Sequence, residues 1–139
     1  ARGRVLAFAH NSHLRRGQSH WQLGPDLLKW WPAGAHINAI LGSHYAVIGS
    51  ALGVSDDNGI MQPEPDTLES LLTAAPGPVR FIPTHKSQGL PATEIANLPI
   101  RSGSTKNFSY FPLTHESLTD FDWLAVLDST DYTRGERLW

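Results

Sequence analysis

The chain has 139 residues, 40 % hydrophobic and 17 % charged, with a formal net charge of -2 and no cysteine. That length suits one domain with a core of its own, and the balance excludes a disordered chain or a basic nucleic-acid binder. Disulfides and thiolate metal sites are excluded, and no apolar stretch reaches the ~20 residues needed to span a bilayer.

Residues 5–9 (VLAFA) form an apolar run without polar alternation, which predicts a strand buried on both faces. It ends abruptly in His10, Asn11, Ser12 and His13, followed by Arg15, Arg16 and Gly17. Open α/β sheets place their sites at such strand ends. Residues 21–31 (WQLGPDLLKWW) predict a short helix with Pro25 in its first turn, or a helix over 26–31 alone if Gly24-Pro25 breaks it. A second helix is expected over 34–42, where Ile37, Ile40 and Leu41 share a face and Gly42 supplies the C-terminal stop.

Residues 45–48 (YAVI) predict the next strand, ending at Gly49, with a polar loop over 55–65 beyond it. Asp66 and Glu69 have capping-box spacing ahead of Leu68, Leu71 and Leu72, so a helix is expected to run to about Ala75. Residues 79–82 (VRFI) predict a third strand, stopped by Pro83. Residues 84–106 read mostly as loop, with one helical turn over 93–96. Residues 108–111 (FSYF) predict an edge strand, and 122–127 (DWLAVL) the last strand, before a polar surface segment over 128–139. Short apolar strands separated by short helices predict an α/β fold with a mainly parallel sheet of four to five strands.

His10 and His13 are the leading candidates for chemistry. Three residues apart at a strand end, their imidazoles converge if the backbone turns, and histidine moves protons near neutral pH. Asn11 between them suits a turn that it holds through backbone bonds. The competing explanation is a pair of turn histidines bonded to nearby carbonyls. A zinc site needs a third ligand that no spacing fixes, and H-E-x-x-H is absent. Gly49-Ser50-Ala51-Leu52-Gly53 has its serine one place early for a nucleophile elbow and lacks the lysine of a phosphate loop. His36 and His44 read as structural or exposed, and His85 follows the third strand as a substrate-side contact. The five tryptophans read as packing residues.

VLAFAHNSHLRRG resembles the strand and A-H-N-x-H element of the erythromycin esterase family. GAHINAILGSHYAVIGSALG is similar to that family's helix leading into a strand and glycine turn, and FDWLAVLDSTDYTRG to its terminal segment. The three blocks stand in the family's order and correspond to the C-terminal part of a longer protein. The resemblance implies hydrolysis of a small-molecule ester or macrolide lactone by activated water, without cofactor, metal or serine nucleophile. It assigns His10 and His13 to the active site, where they position or polarise the substrate carbonyl. Asn11, between them, and His85, after the third strand, are expected as substrate-binding residues from their places in the sequence. It also implies an upstream G-E-x-x-H histidine as general base, a motif this sequence lacks. With no initiator methionine and an apolar run from residue 5, the chain is expected to be cut from a longer protein and inactive alone, its partner being the missing N-terminal part. The alternative is a non-catalytic ligand-, metal- or haem-binding domain. Neither nucleic acid nor membrane is an expected partner, and cytoplasm is the default compartment.

Overall fold

The computed structural model describes residues 3–84 and 95–131. Residues 5–9 do not form the expected strand: they join no sheet, and Val5, Leu6 and Phe8 are 93 %, 79 % and 88 % exposed. An apolar run records that something covers it, and none of the described elements does. The chain then turns through α1 (Asn11–Leu14) into β1 (Ser19–Leu23) and β2 (Asp26–Trp30).

These two strands replace the helix expected over 21–31. They pair antiparallel, with Trp21 opposite Leu28 and Leu23 opposite Asp26. Gly24 takes φ +58° ahead of Pro25, and a glycine of positive φ in first place suits a two-residue hairpin loop. The Gly-Pro pair is therefore a reversal of the chain rather than a helix start.

The next helix, α2 (Ala33–Leu41), forms as expected, with Gly42 at its C-terminal cap. A 3-10 turn (Gly42–His44) leads to β3 (Ile48–Val54), which begins where the sequence expects the strand to end. Its glycines are strand residues because neighbours approach too closely for a side chain. A Cβ at Gly49 would sit 2.7 Å from the Phe121 ring, and one at Gly53 would fall on the Asp128 carbonyl oxygen.

Helix α3 (Leu68–Thr73) is shorter than expected and capped by Thr67, whose Oγ1 accepts from the Ser70 N–H at 3.2 Å. Asp66, the expected cap, lies outside it at φ +63°, and Glu69 turns inward instead of closing a capping box. Strand β4 (Val79–Pro83) incorporates Pro83, which was expected to stop it. As the last residue of an edge strand, Pro83 leaves the ladder intact. Residues 108–111 do not form the expected edge strand: Phe108 and Ser109 lie in a turn closed by the Tyr110 N–H on the Asn107 carbonyl at 3.0 Å. The turn expected over 93–96 is described only from Ile95, and most of the surface segment over 128–139 lies outside the described residues. The short α4 (Ser117–Asp120) precedes β5 (Trp123–Ser129).

The sheet order is β3-β5-β4, with β3 parallel and β4 antiparallel to β5. The α/β class holds, but the described sheets are a mixed three-stranded sheet and the β1-β2 hairpin, not four or five mainly parallel strands. Helix α3 packs Leu68 and Leu72 over β3 and β5 to form a core with Ala51, Leu124, Val126, Phe121, Ile95 and Leu113. Each large side chain so buried contributes roughly 1.5–3 kcal/mol. The opposite face leaves Ile48, Trp123, Val79 and Phe81 exposed.

Candidate active site

The site is built on the turn expected at residues 10–13. His10 caps α1: its Nδ1 accepts the Ser12 N–H at 3.2 Å and lies 2.9 Å from Ser12 Oγ. An Nδ1 that accepts a backbone N–H carries no proton, so neutral His10 holds its proton on Nε2. Burial and the neighbouring His13 lower its pKa, while a backbone hydrogen bond at Ser109 opposes them. The structure brings the two imidazoles together, with ring centroids 6.4 Å apart and planes crossed at 75°. His13, like His10, is exposed to solvent.

Asn11 fixes this turn to the sheet. Its Nδ2 donates to the Ser50 carbonyl at 2.8 Å, and its Oδ1 accepts from the Ser50 N–H at 2.9 Å and Oγ at 3.2 Å. The amide thus occupies the edge of β3 that faces away from β5, as a neighbouring strand would. Both ends of Asn11 are engaged in holding the turn.

The arginines after the turn anchor it from the other side. Arg15 pairs with Asp120, and Arg16 Nη2 bonds to Asp122 Oδ2 at 2.6 Å and to the Tyr45 carbonyl at 3.2 Å. Arg16 also reaches Asn38 of α2 at 3.1 Å and the Asp120 carbonyl at 3.3 Å. Asp122 Oδ2 accepts from the Val47 N–H at 2.7 Å, so one network joins the turn, α2 and the entrances to β3 and β5.

His10 and Asn11 open onto a cleft of about 220 Å³ whose walls include Ser50 of β3, Glu69 of α3, and Asn58, Tyr110 and Phe111 from the loops. Phe111 lies edge-on to His10 at 5.6 Å between centroids and to Trp21 of the hairpin at 6.5 Å. Such a cleft takes a small ligand or one end of a larger one. His36 and His44 are exposed, as expected, and His85 lies outside the described residues. Among the described residues no three His, Asp or Glu side chains gather as a metal site. No helix is long and apolar enough to cross a membrane, again among the described residues.

The erythromycin esterase family model matches residues 1–130. This chain belongs to the erythromycin esterase family. No curated protein matches it. A crystal structure of a Bacillus cereus protein is similar over 88 % of this chain, with a TM-score of 0.54 and 16 % identity, which shows the fold. The chain spans 32 % of that protein's length.

Sequence reasoning located His10, Asn11 and His13 but missed Glu69, Tyr110 and Phe111. Glu69 carried a signal: it follows Leu68 and precedes Leu72 by three, so it borders the helix's apolar arc. Tyr110 and Phe111 reach the cleft only because their segment turns instead of extending.

Proposed function

We propose that this chain is the histidine-bearing part of a hydrolase that cleaves a carboxylic ester or macrolide lactone by attack of an activated water, without a serine nucleophile. The observation that carries this is the A-H-N-x-H turn of a family member, folded so that His10 lines a cleft and the His13 ring stands beside it, 6.4 Å away between centroids. The substrate carbonyl lies against the pair, and donors there stabilise the oxygen as the carbon becomes tetrahedral. His13, whose ring stands exposed beside His10, is such a donor. Asn11 holds the turn against β3.

The proton from water goes to a histidine in the part of the protein that precedes this chain, so the 139 residues alone are inactive. That part also covers the exposed apolar run at Val5, Leu6 and Phe8, consistent with a chain spanning 32 % of its structural neighbour. The protein acts as a cytoplasmic enzyme.

The test is His13→Ala in the longer protein that contains this chain, assayed on p-nitrophenyl acetate and on a macrolide lactone. Loss of one such donor lowers kcat by about 100-fold or more, with circular dichroism unchanged. Turnover equal to the parent on both substrates refutes the proposal.

A further inference from the structure

Several polar side chains that wall the His10 cleft are engaged with one another or with the backbone. His10 and Asn11 are held as described. Asn58 Nδ2 donates to Ser55 Oγ at 2.9 Å, its Oδ1 accepts from Asn107 Nδ2 at 3.0 Å, and Asn107 Oδ1 accepts the Ser109 N–H at 3.0 Å. Tyr110 is covered by Arg101, whose guanidinium carbon stands 5.6 Å from the ring centroid. Glu69 differs. It is 0 % exposed, its Oε1 accepts the Leu113 N–H at 2.6 Å, and its buried Oε2 has no hydrogen-bond partner among the described residues.

A buried polar atom left without a partner, on a residue that lines a cleft, marks a place for a ligand atom. Its chemistry follows from the carboxyl's two oxygens. A buried carboxylate with one bare oxygen is the costly state, and the neutral carboxyl is favoured. Because Oε1 receives an amide hydrogen, the proton belongs on Oε2, which makes that atom a donor. The groups facing Glu69 agree. Burial raises its pKa and Glu64 adds to this, against the Leu113 N–H and Arg101. The Arg101 guanidinium is itself held by the Leu52, Gly53 and Met61 carbonyls. Burial, with Glu69 beside it, pushes Tyr110 up to about 12, so it is neutral too. His10 lies on the same cleft with its own pKa lowered, and β3 contributes no titratable side chain.

We propose that Glu69 is a substrate-binding residue, donating an O–H from Oε2 to the carbonyl oxygen of an ester or lactone held in the His10 cleft. A carboxylic acid kept neutral by its surroundings serves other active sites as a donor to a developing oxyanion. The proposal rests on the ester-hydrolase function above and adds a donor from α3 to the histidine side of the cleft.

The experiment titrates the 139-residue chain with δ-valerolactone, and with tetrahydropyran as the same ring lacking the carbonyl, following the Leu113 amide and His10 ring signals by NMR. The lactone is expected to shift both signals and to bind about 10-fold more tightly than tetrahydropyran. That preference fades as pH rises through the Glu69 titration. Glu69→Gln, which keeps an acceptor for Leu113 and a donor at the Oε2 position, retains the preference and loses the pH dependence. Glu69→Met abolishes it. If that variant fails to fold, the pH series on the parent and Glu69→Gln decides. A lactone that moves His10 but not Leu113, or a pH-independent preference in the parent, overturns the role of Glu69 and leaves the ester site standing. No shift of His10 with either ring overturns the ester-binding function, and the role of Glu69 with it.

Discussion

Asn11→Ala separates the turn from the sheet without touching either histidine. The substitution removes one bond to the Ser50 carbonyl at 2.8 Å, one from its N–H at 2.9 Å and one from its hydroxyl at 3.2 Å. Three bonds at a net 0.5–1.5 kcal/mol each set a ceiling of roughly 4.5 kcal/mol. The Ser50 groups lie at an open sheet edge that water reaches, so about 1.5 kcal/mol is the expected loss. With an m-value of about 1.5 kcal/mol per M in urea, the midpoint falls by about 1 M. Asn11→Asp keeps the two acceptor contacts, loses the donor and sets a carboxylate against a carbonyl, so it costs about 1 kcal/mol. Urea denaturation followed by tryptophan fluorescence measures both, and histidine NMR reports whether the rings part. An Asn11→Ala midpoint within 0.2 M of the parent, with unchanged His10 and His13 signals, refutes the assignment of Asn11 as the clasp.

Arg16→Ala breaks the network joining the turn to Asn38, Tyr45 and Asp122 and removes the guanidinium from a part-buried carboxylate. A loss of about 3 kcal/mol is expected in denaturant titrations, and one below 1 kcal/mol contradicts it. Glu69→Gln tests the buried carboxyl through stability. Because the folded pKa of Glu69 is raised, the native state holds its proton longer than the unfolded chain does. Parent stability therefore declines as pH rises from the ordinary glutamate range through the raised value, and levels off above it. Glu69→Gln lacks that decline, and parallel stability curves for the two proteins count against a neutral Glu69.

Helix α2 and strands β4 and β5 were legible because their signals are local: a shared apolar face closed by glycine, and short β-branched or aromatic runs between breakers. The hairpin was not, since WQL and DLLKW lack a decisive period and Gly-Pro serves a helix start or a reversal equally well. Strand β3 was misplaced because Gly49 and Gly53 read as endings, whereas they are required by Phe121 and Asp128 from far along the chain. The run over 5–9 showed that a surface is meant to be covered, and nothing in its residues names the cover. The site divided in the same way. His10, Asn11 and His13 announced themselves by composition at one point in the chain. Glu69 and Tyr110 join them only through tertiary packing, which a linear pattern does not contain.

The order of the sheet also sets the tempo of its assembly. The central strand is the last one in sequence: Ile48 finds its neighbour only at Trp123, and Val79 only at Leu127. During synthesis β3 and β4 therefore emerge long before the strand that joins them, each with bare ladder groups and apolar side chains. Closing such distant pairs is intrinsically slow. Until Ser129 has been made, this sheet cannot close, and its strands keep the exposed edges and apolar surface that make nascent chains prone to aggregate.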